Sequence, residues 1–220
     1  MQHLETKISE ENISIYDPES QYTLRVSLEK NKFKFLGIIF QMPYKGNKKG
    51  YMSITCRDLD EYHEDINSLN IDPCRQYIEI GTGLGEFVHY VSGICKAMPI
   101  AIDPARYGVM QCMLETSRRM VLDTIIRDKI DVLIWRCRNI QDKTRIHLIN
   151  MKLGEALEAY PSLYGIADVV IDNCGPSLYP LNEKSTECES EESAAVSSID
   201  SLENKLLKSG GKLIVRKSMI

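Results

Sequence analysis

The chain has 220 residues and a formal net charge of -4 at pH 7, with 43% hydrophobic and 26% charged residues, the balance of an ordinary globular protein able to bury a core. The acidic balance argues against a dedicated nucleic-acid binder, and the longest apolar runs, such as GIIF, are far too short to span a bilayer. The start MQHLETKISEENISIY is too polar and acidic for a signal or transit peptide, and seven scattered cysteines without a CxxC pair or Cys/His cluster support neither a zinc site nor a disulfide framework, so reduced thiols in a cytoplasm are expected.

Residues 1–70 read as a β-rich extension. In YTLRVSL, Leu24, Val26 and Leu28 fall on one side and Thr23, Arg25 and Ser27 on the other, the period-two pattern of a half-buried strand. FKFLGIIF follows the polar EKNK, so a hairpin is expected over residues 22–40. PYKGNKKG reads as a turn, YMSITC as a third short strand and RDLDEYHEDINSLNI as a polar helix.

Over residues 71–220 the pattern changes. Strands are expected at YIEIG, PIAID, RIHLINMKL, ADVVID and GKLIVRK, with helices at about residues 86–96, 106–127, 155–160 and 198–208. Strands alternating with helices imply crossover connections and a Rossmann-like α/β fold, a mainly parallel sheet with helices on both faces. The interval after the second strand exceeds what one crossover helix needs, so residues 117–143 are expected to be a helical insertion with Met and Ile residues in the core. Cys95 and Cys112, in apolar helical patterns, are expected in the core too. Residues 182–198 are acidic, rich in serine and unable to bury enough apolar area to order themselves, which makes them a flexible loop. They follow Cys174 and a strand end, where open α/β sheets bind ligands.

The segment YIEIGTGLGEF carries the functional question. A dinucleotide fingerprint has the spacing G-x-G-x-x-G and rests a pyrophosphate on the helix N-terminus. Here the glycines are Gly81, Gly83 and Gly85, and Glu86 stands where the last fingerprint glycine belongs. A carboxylate there suits the helix dipole and sits badly beside a diphosphate. No Gly-Lys-Ser/Thr follows, so a Walker loop fails as well. Asp103 closes the next strand in PIAIDP, where an acid accepts ribose hydroxyls in nucleotide-binding folds or caps the turn that follows.

These residues resemble the first motif of class I S-adenosylmethionine-dependent methyltransferases, an acid followed by three alternating glycines at the end of the first strand. The resemblance covers about residues 75–217. LGEALEAYPSLYGIADVVIDN is similar to the third-to-fourth-strand segment of the small-molecule O-methyltransferase branch, and LLKSGGKLIVRK to the turn into the fifth strand. It implies S-adenosylmethionine as cofactor. Glu79 would organise its amino-acid end, Gly81, Thr82, Gly83 and Gly85 would let the backbone pass close beneath it, and Asp103 would hold the ribose hydroxyls. Glu155 and Ala156 would lie at the adenine edge, although Glu155 equally fits a first-turn position favoured by the helix dipole. Asp172 would face the methionine end or act as the base on the acceptor, with Tyr179 and His89 as further base candidates.

Three departures accompany the resemblance. The first is the long insertion. The second is that RKSMI follows the fifth strand where two further strands are usual, so the N-terminal hairpin is expected to complete that sheet edge. The third concerns metal: Asp172 and Asn173 alone are a thin Mg²⁺ site, so no metal is expected. The expected function is methyl transfer to a small-molecule or protein acceptor, the alternative being a cofactor-binding or partner-binding protein with a degenerate fold. Glu86 disfavours a dinucleotide-dependent oxidoreductase. YKGNKK and the pair Arg118 and Arg119 are basic but have no stacking aromatics interleaved with them, so nucleic acid is not an expected partner. A homodimer through the insertion or the hairpin stays open.

Overall fold

The computed structural model of the protein describes residues 4–10, 12–28, 35–43, 51–57, 70–173 and 202–216. The expectations placed on the polar helix before residue 70, the basic turn, Cys174, Tyr179 and loop 182–198 lie outside these residues.

Strands β1 (Glu5–Ile8), β2 (Asn12–Asp17), β3 (Tyr22–Ser27), β4 (Phe35–Pro43) and β5 (Tyr51–Arg57) pair antiparallel in chain order. The alternation that predicted β3 is realised, with Tyr22, Leu24 and Val26 buried and Thr23, Arg25 and Ser27 not. β2 alternates likewise through Ile13 and Ile15. These stand opposite Val26 and Leu24, so the two strands extend one apolar face. Neither β1 nor β2 was expected, because polar neighbours mask their few aliphatic residues.

β3 and β4 form the expected hairpin, with Leu24 opposite Phe40 and Val26 opposite Ile38. The hairpin does not complete the edge of the parallel sheet, which corrects that expectation: both of its outer sides are already paired, with β2 and with β5.

Strands β6 (Tyr77–Ile80), β7 (Ile100–Ile102), β8 (His147–Ile149), β9 (Ala167–Asn173) and β10 (Leu207–Arg216) form a second sheet, wholly parallel, in the order β10-β9-β6-β7-β8. Counted from β6 this is the Rossmann-like order 3-2-1-4-5, whose winding reverses between β6 and β9. The helices are α1 (Glu86–Ser92), α2 (Tyr107–Met120), α3 (Thr124–Ile140) and α4 (Leu153–Ala159). α1 covers one face, where Phe87 meets Tyr77 edge to face at 6.0 Å between ring centroids. α4 covers the other, joining Leu153, Ala156 and Leu157 to Ile78, Ile80, Ile102 and Val170 in one apolar cluster.

At the N-terminal end of this sheet, the Asp168 carboxylate accepts the Gln76 amide N–H at 2.7 Å and the Lys208 ammonium at 2.9 Å. That amide and that ammonium hold its carboxyl below the usual carboxylate range. One side chain thereby ties together the starts of β6, β9 and β10.

Several element boundaries differ from expectation. The long helix after Asp103 breaks at Val121–Asp123, and Asp123 caps α3 by accepting the Ile126 N–H at 3.0 Å. β8 stops at Ile149 because Leu153 already belongs to α4. The helix expected to reach residue 208 gives way to a 3-10 turn, Asn204–Leu206, and β10 begins at once. Its register shifts between Leu207, opposite Ala167, and Lys212, opposite Val169. Gly210, at φ 79°, carries the bend with a conformation disfavoured for other residues.

Of the cysteines expected in the core, Cys112 is exposed, on the side of α2 away from buried Met110, Met113 and Leu114. Cys95 is half-buried beyond the end of α1, where burial and nearby Asp72 push its thiol up. Cys137 on α3 is buried.

The chain divides into two compact units. One comprises Met1–Asn70, Gly83–Glu86 and Arg106–Asp142, and the other Ile71–Thr82, Phe87–Ala105 and Lys143–Ile220. The helical pair α2/α3 therefore groups with the antiparallel strands, α2 packing on β2 and β3. The Tyr22 hydroxyl accepts the Arg106 N–H there at 3.1 Å.

Candidate ligand-binding site

Side chains in a parallel sheet share a face with their registered partners and alternate along each strand. β6 and β9 register Ile78 with Val170 and Ile80 with Asp172. Because Ile78, Ile80 and Val170 pack toward α4, Asp172 lies on the α4 side. Glu79 and Asn173 take the α1 side. Glu79 is fully buried, accepting the Val88 N–H on Oε2 at 3.2 Å and the Asn173 amide on Oε1 at a long 3.5 Å. Val88 is the third residue of α1, so this carboxylate caps the helix across the glycine turn.

The turn itself explains its composition. Gly81, Gly83 and Gly85 have φ of 65°, 56° and 77°, all left-handed, where a Cβ is costly. The Gly81 N–H donates to the Ile102 carbonyl at 3.0 Å, carrying the β6/β7 ladder one residue past the strand. Buried Thr82 donates its hydroxyl back to the Glu79 carbonyl at 3.2 Å.

Asp103 follows β7 directly and is 3% exposed. Its N–H extends the ladder to the Ile149 carbonyl at 3.2 Å, and its Oδ1 accepts the Ala105 N–H at 2.7 Å, an Asx turn. Asn150, the first residue past β8, donates from Nδ2 to the carbonyls of Asp103 at 2.8 Å and Ala105 at 2.6 Å. Sequence reasoning passed over Asn150. Its signal was a lone amide at the end of an apolar strand.

The remaining predicted residues lie elsewhere. Glu155 is exposed in the first turn of α4 and accepts the Lys152 N–H at 3.3 Å, the capping position that its sequence context also suggested. Ala156 is fully buried in the α4-side core, and Asp172 is fully buried on that same side. His89 sits half-buried on α1. The structure thus brings together Glu79, Gly81, Thr82, Asp103, Asn150 and Asn173 at the C-terminal ends of the strands, about the point where the winding reverses. Open α/β sheets hold ligands at that place. The charged groups there are carboxylates, which suit a ligand bearing hydroxyls or a cation better than a diphosphate. Among the described residues no group of three or more His, Cys, Asp or Glu stands close enough to hold a metal ion. No described helix is long and apolar enough to cross a membrane.

No protein-family model matches the sequence, and no curated protein matches it significantly. Solved structures of similar fold include a candidate S-adenosyl-L-methionine-dependent methyltransferase from Methanococcus maripaludis, 17% identical over 71% of this chain with a TM-score of 0.38. Another is YjhP from E. coli, 13% identical over 71% of this chain with a TM-score of 0.37. The chain spans about half the length of these two proteins, 53% and 47%. Likeness at this distance assigns no activity.

Proposed function

We propose that this chain is a cytoplasmic S-adenosylmethionine-dependent methyltransferase acting on a small-molecule or protein acceptor by direct displacement, without a metal ion. The observation that carries the reading is the turn of three left-handed glycines at the winding reversal, flanked by Glu79 and Asp103 on adjoining strands. A diphosphate would meet two acids there. An ammonium and a pair of ribose hydroxyls find matching acceptors.

When bound, S-adenosylmethionine supplies a methyl group activated on a sulfonium. The protein's contribution is orientation. Glu79 fixes the turn by capping α1, Gly81, Thr82 and Gly83 present backbone without steric obstruction, and the Asp103 carboxylate suits vicinal hydroxyls. Asn150 keeps the Asp103 loop in place. A second reading, binding without transfer, is favoured by the position of Asp172, buried on the α4 side and not beside Glu79.

Calorimetric titration with S-adenosylmethionine, its demethylated product and NAD tests both. The control is Asp103→Asn, which keeps an acceptor for the Ala105 N–H and loses the charge. The first two ligands should bind, roughly tenfold more weakly in the variant, as for a lost charged hydrogen bond. Failure of both to bind ends the reading. Binding without turnover across an acceptor panel selects the second.

A further inference from the structure

We propose that Cys74 and Cys95 form a redox site, a dithiol that a small-molecule disulfide oxidises to an intramolecular bridge fastening the entry of β6 to the exit of α1. In sequence the two cysteines stand apart, on either side of β6, the glycine turn and α1, and no spacing pairs them. Folding does. The Lys96 N–H donates to the Pro73 carbonyl at 2.9 Å, which lays the segment after α1 beside the segment that enters β6. Cys95 and Cys74 are the adjoining residues of that contact, and both belong to the same compact unit. Asp72 ties them further. Its carboxylate accepts the Cys74 N–H at 2.9 Å, its carbonyl accepts the Arg75 N–H at 3.1 Å, and the Cys95 Sγ stands 4.0 Å from that same carbonyl.

A disulfide needs Cα atoms about 4.4–6.8 Å apart, the scale of neighbouring segments joined by a backbone hydrogen bond. Both cysteines lie outside helix and strand, so closing the bridge asks no regular element to move. Cys74 is exposed and turns toward its partner without unpacking anything, whereas Cys95 is half-buried. Burial, Asp72 and Cys74 push the Cys95 thiol up, and the part played by Cys74 places the two sulfurs within electrostatic reach. Because the thiolate is the attacking species, the roles divide. The Cys74 thiolate attacks one sulfur of the small disulfide, whose S–S bond breaks and releases a thiolate that takes up a proton. Cys95 then gives up its proton and attacks the Cys74 sulfur, forming the bridge and releasing the second small thiol. Two protein thiols are oxidised and one small disulfide is reduced. In a reducing cytoplasm the dithiol is the resting form. The site stands at the entry to β6 and holds whether or not the glycine turn binds a cofactor.

The test equilibrates the full-length protein in glutathione buffers of rising disulfide fraction, blocks free thiols with iodoacetamide and digests with trypsin. Cleavage after Arg75 and Lys96 leaves Cys74 and Cys95 in separate peptides, each with a single cysteine. Mass spectrometry should find these two peptides joined and two hydrogens lighter than their sum. In Cys95→Ser, which lacks the resolving thiol, glutathione should stay on Cys74. Cys74→Ser should form no bridge, and Cys112→Ser, at an exposed position, should bridge as the wild type does. The bridged protein should melt roughly 5–10 °C higher, because a closed ring of about twenty residues restricts the unfolded chain. The proposal is overturned if the joined pair is absent in the most oxidising buffer or if Cys95 joins another cysteine instead. It is equally overturned if the wild type keeps glutathione on Cys74 as Cys95→Ser does, or if the bridge leaves the melting temperature unchanged.

Discussion

In the antiparallel sheet β2 and β3 bury every second residue, whereas in the parallel sheet β6 and β7 bury every one. The contrast follows from how each is covered, since helices on both faces of a parallel sheet leave its inner strands no position for water. It also changes what a buried acid means. Asp17, at the end of β2, is 1% exposed and is answered locally by the Ser20 N–H at 3.1 Å and the Ser20 hydroxyl at 2.5 Å. Glu79, in the middle of a strand buried throughout, is answered by groups from a following helix and from β9. The first carboxylate closes a turn. The second organises the ends of separate elements, as a binding site requires.

The contrast can be broken most forcefully at Phe40, fully buried on the apolar face of the antiparallel sheet. Phe40→Ala should cost about 3–5 kcal/mol by urea unfolding, while exposed Arg25→Ala on neighbouring β3 should stay within about 0.5 kcal/mol. Comparable losses at both positions would refute the alternation.

A smaller effect is expected at Gly211 in β10, where an added Cβ would lie 3.0 Å from the carbonyls of Ala167 and Lys208. Gly211→Val should destabilise by about 1–3 kcal/mol. Gly154→Ala in α4, whose Cβ would meet only the Leu202 side chain at 3.9 Å, should be neutral or gain up to about 1 kcal/mol from helix propensity. A thermal melt of each variant decides between them.

A modest loss is expected for Asp168→Asn, about 1 kcal/mol at pH 7, since its bonds are charge-assisted and partly exposed to solvent screening. The folded carboxyl titrates below its unfolded value of about 3.9, so its contribution is complete above that pH and is lost as pH falls through the folded value. Urea midpoints of wild type and variant should therefore converge on acidification below about pH 4. A gap that persists unchanged in acid would assign the loss to packing.

Much of the parallel sheet was legible because its signals are local. YIEIG, PIAID and ADVVID are apolar runs that end in turn-forming or acidic residues, and the glycine spacing marked the turn after β6. What escaped depends on partners distant in sequence. Asn150 is one polar letter after a strand until its two carbonyl acceptors are seen. The opposite facing of Glu79 and Asp172 depends on the β6/β9 register, which neither strand states alone. β2 has two isoleucines in alternation, too few to distinguish it from a polar tail until β3 lies beside it. Trp135 and the arginines are separated along the chain and meet because the chain breaks at Val121–Asp123, between α2 and α3.

The polar contacts at the two ends of β6 and β9 bear on how the sheet assembles. Gln76 and Asp168, 92 positions apart along the chain, meet at one end, and Glu79 and Asn173 at the other. Contacts so distant form late, after a long search. A slip of one position toward the N-terminal end of β6 would turn every side chain of β9 to the wrong face, bringing Asp172 level with Glu79, carboxylate against carboxylate, and driving Asn173 into the aliphatic layer beneath α4. The same pair of strands that frames the candidate site thus carries its own penalty against that misalignment.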